Sequence, residues 1–331
     1  MKVSEKYYPE IDLLKGFAII LVLLGHSIRN NYINLTTISI WCEILSSIIY
    51  SFHMALFFLI SGFLFGNRPI KYKDLITKKF KRLLIPYLLL SSCTFFFRAM
   101  LPQYVHKNVD ITIFAYFDTV ILNGGHYWFV YCLLIVFLIF PLIQRASVKL
   151  PYGHYISFFI LTLLAVVPTD IDYLEFSNVT ENLIYFFIGN ILKNNYTGFK
   201  KNFSDNYLLL ILIPCFFFLN NTGIHSVYVE HIVKIILAVT GSWISYILVL
   251  KINSITIQKL LTICGLYSLQ LYLLELYPIA ITRMIANNFL HISSPILIVP
   301  FVFIANTAVI VVMCRFLFEK NRTMKTMLGI N

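Results

Sequence analysis

The chain predicts an all-α membrane protein, a polytopic bundle of transmembrane helices. Three observations carry that expectation. Hydrophobic residues fill 59% of the 331 positions and charged residues only 12%, roughly half the charge of a soluble domain. Apolar runs near the roughly 20 residues that cross a bilayer recur along the whole chain. Lys and Arg gather in alternate connecting segments, the asymmetry that orients membrane helices.

Taken in order, about ten apolar blocks read as spans, near 13–29, 42–66, 83–101, 126–144, 155–168, 182–192, 207–220, 231–250, 259–281 and 295–317. The blocks at 155–168 and 182–192 are short. The segment 111–122 is apolar for only about a dozen residues, which suits an interfacial or re-entrant piece. With the start of the chain inside, the inner segments 66–82, 145–151, 193–206, 251–259 and the two ends hold most of the 26 Lys and Arg. The outer segments hold Arg29, Arg98, Lys107 and Arg283, and an outer loop carries Asp170, Asp172, Glu175 and Glu181. Both termini are therefore expected on the cytoplasmic side. No repeat, low-complexity tract or detachable soluble region interrupts the pattern, so residues 1–331 are expected to form one domain. The first block lacks a small-residue cleavage site and does not read as a signal peptide.

The net charge of +11 is mostly this topology signal, because basic residues scattered among short loops make no nucleic-acid surface. One segment stands apart: 68–82, RPIKYKDLITKKFKR. It serves either as an anchor to anionic lipid or as a phosphate site at the cytoplasmic mouth. The cysteines at 42, 93, 132, 215, 264 and 314 include no CxxC pair, and neither a disulfide framework nor a metal site is expected.

Ionisable groups in lipid are expensive and usually have a task there. The first span, DLLKGFAIILVLLGH, places Lys15 and His26 eleven residues apart. That spacing puts both on nearly one helix face, about 16 Å apart along the axis. Asp12, one turn before Lys15, can pair with it. The second span, SFHMALFFLISGFLF, carries His53 at mid-depth and Ser61-Gly62 towards the inner side; small residues such as these ordinarily permit close helix packing. The third opens KKFKRLLIPYLL, with Lys79 and Arg82 sharing a face and Pro86 expected to kink the helix. The fourth opens NGGHYWFVY: the paired glycines break the chain, an aromatic belt accounts for Tyr127 and Trp128, and His126 is left over. The ninth, CGLYSLQLYLLELYP, places Glu275 about 22 Å above its inner edge. Lys15, Lys79, Arg82 and Ser61 thus lie towards the cytoplasm, and His26, His53, His126, Trp128 and Glu275 lie higher. A cationic lower chamber would hold a phosphorylated cytosolic donor, and a histidine-bearing upper chamber would supply an acid or base. The pattern suits group transfer across the membrane.

These residues resemble the membrane-bound acyltransferase-3 family, and within it the branch similar to fucose 4-O-acetylases. The matching pieces are D-x-x-K-G-x-A-I with His26 eleven residues after the Lys, F-H-M-x-L-F-F-x-x-S-G-F at 52–63, R-L-L-I-P-Y at 82–87, H-Y-W-F at 126–129 and G-x-x-S-x-x-x-Y-L at 265–273. The resemblance implies a multi-pass enzyme of the bacterial cytoplasmic membrane. Such an enzyme moves acetyl from acetyl-CoA to a sugar hydroxyl of a surface polysaccharide, such as a capsule, or of its lipid-linked precursor, with no metal. It implies His26 as general base or transient acetyl carrier, with His126 and Glu275 beside it in catalysis. Lys15, Arg82, Lys79 and Ser61 would hold the donor; His53, Trp128 and Tyr272 would face the sugar. Two positions depart from the family. Lys15 stands where many members have Arg, keeping the charge without the bidentate geometry. Glu275 stands where many have His, and suits hydrogen-bonding a sugar or orienting a histidine. From another class, a secondary transporter or flippase would show similar spans and intramembrane charges, but it leaves the ordered motif set unexplained.

Overall fold

The computed structural model describes residues 7–29, 34–66, 72–100, 111–169, 171, 173–203, 205, 207–220 and 226–330. Asp170, Asp172 and Lys107 lie outside them. Among the described residues the regular structure is helical, apart from a single bridge between Arg29 and Asn34. In chain order the helices are α1 (Pro9–Ile28), α2 (Ile40–Tyr50), α3 (His53–Phe65), α4 (Tyr72–Lys79), α5 (Ile85–Met100), α6 (Ile113–Tyr116), α7 (Trp128–Lys149), α8 (Gly153–Val166) and α9 (Phe176–Asn194). They continue as α10 (Tyr196–Phe203), α11 (Tyr207–Asn220), α12 (Val227–Leu250), α13 (Ile255–Leu266), α14 (Ser268–Leu274), α15 (Leu276–Met284), α16 (Pro295–Met313) and α17 (Arg322–Met327).

The protein is a polytopic helical bundle. Among the described residues, six helical stretches are long and apolar enough to cross a membrane, and a seventh is added if the bent pair α13–α14 is one span. All ten blocks anticipated from the sequence are helical. Those at 155–168 and 207–220 form the shorter apolar helices α8 and α11, and 182–192 lies within α9.

Helix α1 is the axis. Pro9 opens it with a preset φ, and Glu10 and Asp12 in its first turn meet the positive end of the helix dipole. Leu14, Ala18, Ile19, Val22 and Leu23 are all but fully buried, packed by α3, α12, α13, α14 and α16. Lipid is as apolar as these side chains, so close van der Waals packing and hydrogen bonds must hold the helices together. Two reciprocal glycine pairs show how. A Cβ on Gly16 would overlap the carbonyl of Leu261, and one on Gly265 would press the carbonyl of Asp12 at 2.5 Å, so α1 and α13 touch backbone to backbone. Gly62 meets the carbonyl of Phe186, and Gly189 that of Leu59, locking α3 to α9 in the same way. Three motif glycines, Gly16, Gly62 and Gly265, are thus packing residues. At the lower end Lys200 and Tyr196 reach Glu10 at 2.7 and 2.5 Å. The Glu10 carboxylate holds the Lys200 ammonium above its ordinary value.

One expectation gains detail and one is corrected. The turn just before Pro86, Phe80–Leu84, is widened to five-residue spacing. Pro86 has no N–H for the carbonyl of Arg82 four residues back, and a π-turn absorbs that defect. The block 259–281 is not one straight span. The chain bends by 64° between α13 and α14 and breaks again at Glu275, so an axial rise counted along one helix does not apply to Glu275.

Candidate active site

Three cavities run in series through the bundle. The lowest, about 530 Å³, is walled by Leu75, Lys78, Lys81 and Thr326 together with Leu64, Phe65, Lys79 and Arg82. Those last four residues also line the next cavity, about 350 Å³, whose wall adds Lys15, Ser61, Phe137, Ser268 and Tyr272. Tyr272 and Met54 in turn belong to both this cavity and an upper chamber of about 1030 Å³. The upper chamber is lined by His26, His53, His126, Trp128, Tyr50, Asn178, Glu181 and Asn182 among others.

The middle cavity is strongly basic. Arg82 stands close enough to both Lys15 and Lys79 for their charges to repel. The nearest acid, Asp12, is 3.4 Å from the Lys15 ammonium. The Lys79 ammonium lies 3.4 Å from the centre of the Phe137 ring, a cation–π contact in a partly desolvated setting. The widened turn at Phe80–Leu84 changes the helical register between Lys79 and the rest of α5, a device common where side chains must be aimed at a site. Three like charges held around one cavity favour a polyanion. Ser61 faces this cavity, whereas its neighbour Gly62 faces α9. The packing explanation that the sequence offers for the pair holds for the glycine.

At the upper chamber, His26 Nδ1 meets Glu275 Oε1 at 2.5 Å. An ionised carboxylate only accepts, so beside one Nδ1 carries the proton and Nε2 is the ring's other nitrogen. Glu275 is 1% exposed and lies behind His26, outside the chamber lining. The His26 side chain is partly accessible and does line the chamber. The His26 and His126 rings are 6.5 Å apart. Gly124 and Gly125, both at positive φ, turn the chain so that His126 and Trp128 arrive at the chamber; glycine tolerates that backbone at no steric cost. His53 gives its Nδ1–H to the carbonyl of Ile49 at 2.7 Å. Tyr272 donates to the carbonyl of His126 at 3.3 Å.

Nine of the ten residues singled out from the sequence therefore line these cavities, and the tenth, Glu275, stands behind His26. Others were not anticipated. Tyr50 stands between two histidines, 6.4 Å from His26 and 5.0 Å from His53 ring to ring. Asn178, Glu181 and Asn182 form one polar face of α9, a spacing of three and four residues that is visible in the sequence. Arg283, 4% exposed, donates to the carbonyl of Ser27 and ties α15 to α1 beside His26; nothing in its sequence neighbourhood announces that partner.

Comparison with known proteins gives this geometry a family. The model of an acyltransferase domain, that of the acyltransferase-3 family, matches residues 8–315. The chain belongs to this acyltransferase family. A curated relative, the nodulation protein NolL of Sinorhizobium fredii (strain NBRC 101917 / NGR234), is 27% identical over 169 residues, which cover 50% of this chain and 44% of the relative. The chain thus matches less than half the length of that relative. No solved structure matches it. This member of the family is a multi-pass helical membrane protein, and the basic cavity, the shared wall at Tyr272 and the His26–Glu275 pair are where its polar residues gather.

Proposed function

We propose that this acyltransferase transfers acetyl from cytoplasmic acetyl-CoA to a sugar hydroxyl of a surface polysaccharide or its lipid-linked precursor. We further propose that donor and acceptor approach from opposite sides. The observation that carries this reading is the shared wall: Tyr272 and Met54 border both the basic cavity and the histidine chamber. Lys15, Lys79 and Arg82 hold the diphosphate of the donor by charge-assisted hydrogen bonds, with Ser61 beside them. Lys15 and His26 are about 16 Å apart along α1, a distance that an extended pantetheine arm covers. The thioester then lies at the junction next to His26.

The acceptor enters the upper chamber. Trp128 and Tyr50 offer flat faces to a sugar ring, and His53, Asn178 and Asn182 offer polar groups to its hydroxyls. The sugar oxygen attacks the thioester carbonyl while His26 Nε2 takes its proton. The carbon–sulfur bond breaks and the proton passes to the departing thiolate, giving O-acetyl sugar and CoA. Glu275 holds the ring in the productive tautomer and stabilises its cationic form, the part a buried carboxylate plays beside a catalytic histidine. An acetyl-His26 intermediate uses the same atoms in two steps. His126, across the chamber, faces the same reacting centre.

The bases at the lower end, on 72–82, α10 and α17, support a cytoplasmic position for that end under the positive-inside asymmetry. A transporter reading offers no need for a histidine held by a buried carboxylate at the junction of the two cavities. The test is acetyl transfer by purified protein in lipid, with labelled acetyl-CoA and a panel of glycans. CoA-dependent O-acetylation of a glycan is the expected result, and glycan movement without acetylation would overturn it.

A further inference from the structure

The lowest cavity is not needed to explain a diphosphate in the basic cavity above it, yet the two share Leu64, Phe65, Lys79 and Arg82 as lining. Among the described residues its lining contains four bases, Lys78, Lys79, Lys81 and Arg82, and no acid. It also has an apolar side, made by Leu64, Phe65, Leu75 and Ile330. At about 530 Å³ it is the size of a pocket for a small-molecule ligand.

One wall comes from a segment far away in sequence, 326–330. That wall is seated firmly. Gln270, 2% exposed, donates to the carbonyl of Leu328 at 2.7 Å, and Leu328 itself is buried. Gly329 sits at φ +65° with no room for a Cβ, which would run into the carbonyl of Arg82 in the widened turn. The segment is thus pressed against the same turn that aims Lys79 and Arg82.

An apolar wall beside a cluster of bases, one cavity below the proposed diphosphate site, matches the far end of CoA: an adenine ring with a ribose phosphate. We infer that this mouth, closed on one side by residues 326–330, seats the adenosine 3′-phosphate end of the donor. Lys78 and Lys81 take the 3′-phosphate, and Phe65, Leu75 and Ile330 flank the base. The inference rests on the donor reading above and sharpens it, because it separates free CoA from a pantetheine arm carried on a protein.

The experiment measures binding of CoA, 3′-dephospho-CoA and 4′-phosphopantetheine by calorimetry, using the full chain in phosphatidylcholine nanodiscs. CoA should bind tighter than 3′-dephospho-CoA by roughly tenfold or more, the usual worth of a charge-assisted phosphate contact. The exposed double variant Lys78→Ala/Lys81→Ala should erase that difference and leave 3′-dephospho-CoA within about twofold. Thr326→Glu, also exposed, should weaken CoA more than 3′-dephospho-CoA. Equal binding of CoA and 3′-dephospho-CoA by the parent protein overturns the inference while the donor reading stands. So does equal weakening of both in the double variant, which would make the lysines a lipid anchor. Phosphopantetheine binding as tightly as CoA overturns it in favour of a carrier-protein donor. Binding of none of the three overturns the inference and the donor reading together.

Discussion

The two main cavities differ in how they handle charge. The middle cavity sets Lys15, Lys79 and Arg82 against a single nearby carboxylate, Asp12. The upper chamber is balanced: its lining sets Arg29 and Lys234 against Glu181 and Glu230, with Lys234 2.9 Å from Glu230. Its other polar groups are histidines, amides, hydroxyls and the Trp128 indole. An excess of one sign selects a polyanion, while paired charges and neutral donors suit an uncharged, hydroxyl-rich molecule. On the proposed reading, the contrast means that the two substrates are distinguished by electrostatics before any chemistry occurs. His26 belongs to the upper chamber, which shares Met54 and Tyr272 with the basic cavity, and Glu275 stands behind it.

The largest expected effect comes from the boundary. His26→Gln should lower kcat by roughly 10²–10⁴, the usual worth of a general base, and by more if the imidazole carries the acetyl group. CoA affinity should stay within about twofold, because the phosphate site is a separate cavity. His26→Ala is the harsher variant: it strips Glu275 of its partner, and an unpaired buried charge costs about 3–5 kcal/mol. Comparable loss of CoA binding and turnover in the Gln variant would make His26 a structural residue.

Next comes Glu275→Gln, which keeps a hydrogen bond to His26 but removes the charge and permits the wrong tautomer. Turnover should fall by roughly tenfold to a thousandfold with little change in either KM. A rise in acceptor KM alone would instead place Glu275 on the sugar. The smallest of these effects belongs to the lower side. Arg82→Ala should raise the KM for acetyl-CoA by roughly tenfold and leave the sugar KM nearly unchanged, since one charge-assisted contact is worth about 1.5–3 kcal/mol. If the sugar KM rose instead, the division of labour between the cavities would be wrong.

The helices are legible in the sequence because long apolar runs can hide their backbone in lipid only as helices. Lys15, His26, His53 and Glu275 stand out for a related reason, that each is costly at that depth. What the sequence does not reveal is partnership. His26 and Glu275 are 249 residues apart, and only the packing of α1 on α13 and α14 brings them together. The bend between α13 and α14 is also silent, because a run such as Gly265-Leu266-Tyr267-Ser268 carries no proline to mark it. The same holds for the wall at 326–330: Arg322 and Lys325 just before it look like a topology signal until the fold seats the segment against Arg82. Gly16, Gly62 and Gly265 are easily mistaken for site residues because they adjoin Lys15, Ser61 and the Tyr272 motif, yet their role is backbone contact.

The central claim is that donor and acceptor reach one histidine from opposite faces of the membrane. Sealed inverted vesicles from expressing cells test it most directly, with labelled acetyl-CoA added outside and the glycan acceptor trapped in the lumen. Neither reagent crosses the bilayer unaided. Acetylated glycan inside the vesicles, absent with His26→Gln, is the expected result. Acetylation only when donor and acceptor are supplied on the same side would contradict it.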